Sequence, residues 1–152
     1  MQNHTQLPTG LSFSYETERL ILLLPSTDYL REIHDFLYRN RSCFEKYEPT
    51  APENYYTLDF QQTLARCELK LALKLSSVRF YVFLKEDPST IIGTVCLQNI
   101  IKMPYFTSEV GYKFDASYQH HGSAREALSM ALSVGFYGLG LPKIFARCMP
   151  EN

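Results

Sequence analysis

The sequence has no charge imbalance, and this absence argues against one broad class of partners. The chain carries 15 Lys and Arg residues against 16 Asp and Glu residues, which gives a formal net charge of −1. No local cluster of Lys or Arg offsets the near-neutral total. Nucleic-acid binding depends on a positive surface that faces the phosphate backbone, so the sequence predicts no nucleic-acid partner.

Paired cysteines, a signal peptide and long apolar runs are also missing. The cysteines lie far apart and none belongs to a Cys-x-x-Cys pair; they are Cys43, Cys67, Cys96 and Cys148. We interpret them as reduced, small apolar residues rather than a disulfide framework or a metal centre. Residues 1–10 are polar, and no apolar run approaches the ~20 residues of a membrane span. The sequence therefore predicts a cytoplasmic protein without a membrane partner.

Three catalytic or nucleotide-binding motifs are absent as well. The chain has no Gly-Lys-Ser/Thr of a nucleotide-binding P-loop, no Gly-x-Gly-x-x-Gly of a dinucleotide fold and no Gly-x-Ser-x-Gly of a serine hydrolase. The adjacent His120 and His121 have no Cys or carboxylate at ligand spacing. No metal site is predicted from them.

The most informative stretch runs from residue 106 to residue 138 and joins a strand, a loop of small residues and an amphipathic helix. Its first part alternates between two faces, one of which is formed by Val110, Tyr112 and Phe114, and the side chains of Tyr112 and Phe114 are predicted to belong to the core. The helix begins near Gly122–Ala124, where the first-turn N–H groups lack helical partners and carry partial positive charge. Because these residues have small side chains, the loop is predicted to be an anion site suited to phosphate.

The rest of the pattern predicts a mixed α/β fold. Residues 1–15 are interpreted as a flexible arm and residues 16–152 as a single domain. Strands are predicted at residues 20–24, 78–84, 91–101, 106–114 and 143–149. The middle three are joined by short turns and predict an antiparallel meander, and the last two are linked by a helical crossover.

Two further helices are predicted between the first and second strands. The first begins at Thr27 or Asp28 and ends near Arg41. The second is predicted from an apolar stripe at helical spacing, formed by Phe60, Leu64, Cys67, Leu71 and Leu75. The second strand is predicted to be half-buried from its period and composition. Its two alternating sets are Val78, Phe80, Val82 and Leu84, and Arg79, Tyr81, Phe83 and Lys85.

One six-residue motif and five flanking blocks of the sequence together resemble the GNAT acyl-CoA N-acyltransferases. Gln119-His-His-Gly-Ser-Ala124 fits the Gln/Arg-x-x-Gly-x-Gly/Ala signature of that family. The flanking blocks resemble the branch that includes the ribosomal-protein-alanine acetyltransferases; they are Glu16–Leu22, Ile92–Val95, Glu109–Tyr112, Glu126–Leu128 and Ala146–Asn152. The resemblance implies a GNAT-like mixed, mostly antiparallel sheet flanked by helices, and acetyl-CoA as the acyl donor.

The resemblance also implies which residues contact the donor. The pyrophosphate of CoA is expected on the backbone of Gln119, His120, His121, Gly122, Ser123 and Ala124. The main chain of the preceding strand is expected to pair with the pantetheine arm at Val110, Tyr112 and Phe114, and Asn152 to hydrogen-bond near the cofactor. His121 either adds a pH-dependent phosphate contact or is an exposed histidine without a role.

Glu109 is the candidate general base. It would take a proton from the acceptor ammonium, directly or through water. The alternative is a solvated strand residue without a catalytic role. Glu126, in the first turn of the helix, is interpreted as structural through the helix dipole rather than catalytic.

The resemblance covers roughly four-fifths of a family domain, because the last helix and strand pair have no counterpart after Asn152. We therefore expect an exposed strand edge near Ile144–Cys148, which leaves open a homodimer in which two chains complete each other. The first hypothesis is an N-acetyltransferase that moves an acetyl group to a primary amine, either a protein N-terminus or a small amine. The alternatives are a CoA-binding but catalytically weak protein with a sensing or interaction role, and a structural domain that binds no cofactor.

Overall fold

The computed structural model describes residues 10–46, 51–101, 104–119 and 121–146. In these ranges the strands form one six-stranded sheet and lie side by side in the order of the chain. Their bounds are β1 Ser14–Glu16, β2 Leu20–Leu23, β3 Val78–Leu84, β4 Asp87–Ile101, β5 Thr107–Phe114 and β6 Lys143–Ala146. Neighbouring strands are antiparallel except β5 and β6, which are parallel. The predicted mixed, mostly antiparallel fold class is therefore confirmed.

Helices flank this sheet on both faces. Within the described ranges they are α1 Leu30–Arg39, α2 Arg41–Glu45, α3 Leu58–Leu73 and α4 Ser123–Ser133, which continues into a π-helical turn over Val134–Gly138. Ser26, not Thr27 or Asp28, caps the short turn that leads into α1, because its hydroxyl accepts a hydrogen bond from the N–H of Asp28. None of these helices has the length and apolar character needed to cross a membrane.

The predicted crossover lies at one edge of the sheet. The chain leaves β5, forms α4 and returns as β6, which pairs in parallel with β5 from Thr107↔Lys143 to Val110↔Ala146. A parallel pair requires such a connection, so the order of elements and the pairing agree. Residues 147–149 of the predicted last strand lie outside the described residues.

The prediction that the strand at residues 78–84 is half-buried was wrong. Phe80 and Val82 pack in one apolar cluster with α4, whereas Tyr81 and Phe83 pack in another with α1. Successive strand residues point to opposite faces, so both faces of β3 are covered. Helices on both sides of the sheet bury all four side chains. The alternation of residues along one strand does not reveal that both faces are covered.

The sequence correctly predicted that α3 is a helix, but the predicted buried face of this helix was wrong. Its buried residues are Gln61, Ala65 and Ala72, each one position after a member of the predicted stripe. The helix is thus rotated by about 100° from the expected orientation. Gln61 is held inside because its Nε2 donates to the carbonyl of Tyr55 at 2.7 Å, and the two alanines allow close packing.

The predicted flexible arm does not extend to residue 15. Leu11 is fully buried, and Ser14–Glu16 forms β1 at the edge of the sheet. The aromatic ring of Tyr15 packs edge-on against Phe80 at 5.6 Å between centroids. Apolar contacts of this kind hold residues 10–15 against the core, and residues 1–9 lie outside the described ranges.

Candidate functional site

The predicted anion loop lies at the junction of β5 and α4. Gly122 is the residue before the helix and has a φ of 80°, a left-handed conformation that favours glycine. Among the described residues, no side chain caps this helix at Gly122. The N–H groups of its first turn therefore keep the hydrogen-bonding capacity that an anion requires.

The side chains of the loop differ in exposure. Gln119, His121 and Gly122 are exposed, Ala124 is half-buried, and Ser123 is buried. Gln119 also donates through Nε2 to the carbonyl of Phe114 at 3.5 Å. The structure thus brings these predicted residues together in one turn, whereas His120 and Asn152 lie outside the described residues.

The edge of β5 becomes open before it reaches this loop. Pairing with β6 ends at Val110, and within the described ranges no strand pairs with Gly111–Phe114 on that side. Val110 and Phe114 are buried, as predicted for core residues, but Tyr112 is 56% exposed. The prediction that Tyr112 belongs to the core was therefore wrong; within the described residues, no strand pairs with β5 beside it on that edge.

A groove lies around Glu109, in the part of β5 that is paired with β6. Its volume is about 360 Å³, and its lining residues are Asn99, Ile101, Thr107, Ser108, Glu109, Phe145 and Ala146. Glu109 is half-buried and lies beside Phe145 in the parallel register. Asn99 and Phe106, near the groove, have φ values of 51° and 48°, a conformation that costs energy for residues with a side chain.

A buried carboxylate anchors the start of the loop. Asp115 accepts hydrogen bonds from Arg39 Nε at 2.6 Å, Asn40 Nδ2 at 3.1 Å and the N–H of Ser117 at 2.8 Å. Desolvation would raise the pKa of this carboxyl, but the donors outweigh it and the pKa is lowered. Helix α1 is thereby tied to the turn that precedes the loop.

A second carboxylate anchors the other end. Glu126 of α4 accepts from Thr17 Oγ1, from the backbone N–H of Arg19 at 3.0 Å and from its Nε at 2.9 Å. Arg19 also donates through Nη1 to the carbonyl of His121 at 3.1 Å. Glu126 is structural, as predicted, yet it acts through Arg19 and Thr17 as well as through its place in the first helical turn.

The sequence indicated no role for Arg19, Arg39 or Asp115. Arg19 lies within one of the family-like blocks, which was the available signal, but its partners are more than one hundred residues away in sequence. A cavity of about 500 Å³ adjoins Arg19 on the β2–β3 side of the loop. Its lining contains two acidic residues, Glu18 and Glu86, and two basic residues, Arg19 and Lys85, so these charges balance.

Within residues 10–46, 51–101, 104–119 and 121–146, no three His, Cys, Asp or Glu side chains are grouped closely enough to hold a metal ion.

Comparison with known proteins agrees with this arrangement. The model of the GNAT acetyltransferase domain family matches residues 19–152. The chain is 30% identical over 113 residues to the probable N-acetyltransferase YjcK of Bacillus subtilis, an alignment that covers 74% of this chain and 62% of that protein. The chain thus spans less than two thirds of the length of that relative.

Solved structures share the fold. The ribosomal-protein-S5-alanine acetyltransferase of Vibrio fischeri superposes with a TM-score of 0.85 at 27% identity, over 91% of this chain and 75% of that chain. The microcin C7 self-immunity acetyltransferase MccE, solved with acetyl-CoA and AMP, superposes with a TM-score of 0.75 at 19% identity, over 97% and 77% of the two chains. At that lower identity the second likeness supports the fold alone.

Proposed function

Because this chain belongs to the GNAT acetyltransferase family, we propose that it is an N-acetyltransferase that moves the acetyl group of acetyl-CoA to a primary amine in a ternary complex. The observation that carries the proposal is a continuous path across the site. It leads from the groove at Glu109, along the open edge Gly111–Phe114, to the uncapped start of α4 at Gly122.

The dimensions of this path suit an extended thioester donor. Five strand steps separate Glu109 from Phe114, or roughly 17 Å at ~3.4 Å per residue. An extended arm can lie along β5 over this distance, beside the Gly111–Phe114 edge with which no described strand pairs on that side, while its phosphates lie on the first-turn N–H groups of α4. Such a pose brings the thioester to the groove at Glu109. The proposed donor contacts are the backbone of Val110, Tyr112 and Phe114 and that of the loop.

Each bond change has an assigned partner in this scheme. The amine nitrogen attacks the carbonyl carbon of the thioester, a C–N bond forms, and the C–S bond breaks to release CoA. Glu109 takes the proton that the amine loses, and the departing sulfur takes up a proton. A backbone N–H near Val110 would polarise the carbonyl, a contribution of ~3 kcal/mol to the barrier when such a donor is well placed.

The acceptor is an amine that fits the groove beside Glu109. The half-exposed Ile101 and Phe145 flank the carboxylate, so the groove offers apolar contact next to a negative charge. A peptide with an N-terminal alanine is the first acceptor to test, since the Vibrio fischeri neighbour is named for that chemistry. Small primary amines form the second arm of the screen. We place the reaction in the cytoplasm.

The test begins with calorimetric titration of the chain with acetyl-CoA, followed by Gly122→Glu. We expect micromolar binding by the parent chain and none by the variant, because a bulky anion would lie against the pyrophosphate. Gly140→Glu is the matched control: Gly140 also has a positive φ, of 72°, and an added Cβ there meets no atom within 4 Å. Equal affinity of Gly122→Glu and the parent chain would overturn the proposed site.

Glu109→Gln tests the catalytic step separately. The variant should bind acetyl-CoA with unchanged affinity and lose at least 100-fold in kcat, since it cannot accept the proton of the amine. Donor binding without turnover on any acceptor in the parent chain would favour the CoA-binding alternative. Light scattering on the same sample tests whether two chains form the homodimer that the sequence left open.

A further inference from the structure

We propose that Arg19, held by Glu126, is a positioning residue that sets the backbone of the loop at residues 119–124, the proposed CoA loop. The inference rests on the proposed function, because it concerns how the loop presents its N–H groups to the donor. Arg19 lies in the segment before β2 and Glu126 in α4, so the contact joins two distant parts of the chain.

The first step of the argument is the saturation of the Glu126 carboxylate. Its Oε2 accepts from Thr17 Oγ1 and from the Arg19 backbone, and its Oε1 accepts from Arg19 Nε at 2.9 Å. Desolvation would raise the pKa of Glu126, but these hydrogen bonds and the nearby guanidinium outweigh it and the pKa is lowered. Glu126 therefore holds the guanidinium in one orientation, because it accepts hydrogen bonds from both the backbone N–H and the side chain of Arg19.

The second step is the contact of the same guanidinium with the loop. Arg19 Nη1 donates to the carbonyl of His121 at 3.1 Å, and its Nη2 lies 3.3 Å from the position that a Cβ on Gly122 would take. In a trans peptide the C=O and the following N–H point in opposite directions. A carbonyl of His121 held towards Arg19 therefore turns the N–H of Gly122 away from Arg19. The arginine thus determines the direction in which one loop donor points.

The third step concerns charge. Without the Arg19 guanidinium, the carboxylate of Glu126 would keep its bonds from Thr17 and the backbone but lose its positive partner, next to the place where an anionic phosphate is proposed. Like charges at this distance repel, so loss of the arginine removes an orienting hydrogen bond and also exposes a negative charge. Loss of Glu126 removes the orientation alone. Arg19→Gln should therefore weaken donor binding more than Glu126→Gln does.

The experiment measures the Kd for acetyl-CoA by calorimetry, together with KM for donor and acceptor. We expect Arg19→Gln to raise the donor Kd and KM about tenfold, the factor for loss of one charge-assisted hydrogen bond, with kcat and the acceptor KM changed less than twofold. Glu126→Gln should raise the donor Kd by a smaller factor. In Arg19→Gln/Glu126→Gln the exposed charge is gone, so the donor should bind more tightly than to Arg19→Gln alone.

Arg41→Gln is the matched control. Arg41 pairs with Glu45 at 3.1 Å, is about half exposed as Arg19 is, and lies on α2 away from the loop. This variant makes the same change of net charge and should leave the donor Kd within twofold. Arg19→Lys keeps the charge but cannot bridge Glu126 and His121 in the same way, so an intermediate Kd supports orientation as the mechanism.

Two results would overturn the inference in distinguishable ways. If the parent chain binds no acetyl-CoA, the proposed function fails and this inference fails with it. If the parent chain binds but Arg19→Gln binds equally well, or no more weakly than Arg41→Gln, the positioning role alone is removed.

Discussion

The two ends of the loop at residues 119–124 are anchored by carboxylates that differ in their exposure to solvent. The Asp115 side chain is 2% exposed, whereas that of Glu126 is 21% exposed, and each is paired with a partly exposed arginine. A buried carboxylate depends on protein donors because water cannot replace them, while an exposed one is rehydrated when its partner is lost. We infer that the Asp115 anchor mainly stabilises the fold and that the Glu126 anchor mainly sets the geometry of the loop.

The largest effect on stability is expected from Asp115→Ala. The change removes an acceptor shared by Arg39, Asn40 and Ser117 and should lower the free energy of unfolding by about 3 kcal/mol, the low end for a broken buried pair. Chemical denaturation measures the loss. Asp35→Ala is the control, because the Asp35 side chain is 73% exposed. A loss as small as that of the control would contradict the contrast between the anchors.

Asn40→Ala should have an intermediate effect. Asn40 is 4% exposed, and its Nδ2 donates both to Asp115 and to the carbonyl of Phe36 at 2.9 Å. Removal of these bonds should cost about 1–2 kcal/mol in the free energy of unfolding while Asp115 keeps its other donors. A cost equal to that of Asp115→Ala would mean that the amide, not the carboxylate, organises this anchor.

Glu126→Gln should cost about 1 kcal/mol or less at neutral pH, although it weakens donor binding. The exposed pair gains little in water, and the amide oxygen of glutamine can still accept hydrogen bonds. The same denaturation measurement, run beside Asn40→Ala, ranks the two. A loss greater than that of Asn40→Ala would show that this anchor also holds the fold.

The smallest effect concerns the pH range in which the Glu126 contribution operates. Its pKa in the folded chain is below the ordinary value of 4.5, so its contribution is complete above that pH and is lost as the pH falls through the folded value. The stability difference between the parent chain and Glu126→Gln should be constant from neutral pH to about pH 5 and shrink in more acidic solution. A difference that grows on acidification would have the wrong sign.

The sequence predicted features that depend on local spacing. Alternation predicted β3 and β5, helical periodicity predicted α1 and α3, and the small residues after β5 predicted the start of α4. It did not predict the buried face of α3, because apolar and small residues occur on more than one side of that helix. Gln61 faces inward because it donates a hydrogen bond to the carbonyl of Tyr55, and Ala65 faces inward because the helix packs against the sheet.

The site was predictable in part for the same reason. The loop at residues 119–124 was predicted as an anion site from its own sequence and Glu109 as a candidate base, and both stay predictions. The exposure of Tyr112 was not, because it depends on where β6 stops pairing with β5. The anchors of the loop were missed because Arg39 and Asp115 are 76 residues apart, and the sequence has no repeat or motif that links them.

By itself, the sequence determined the kind of segment each stretch forms and the presence of a helix start built from small residues. These properties follow from side-chain periodicity and backbone chemistry within a few residues. Only the tertiary structure decided which faces are buried, where the β5 edge opens and which arginines hold the loop. Those outcomes depend on contacts between segments far apart in sequence, whose free energy is gained only when the whole sheet and its helices pack together.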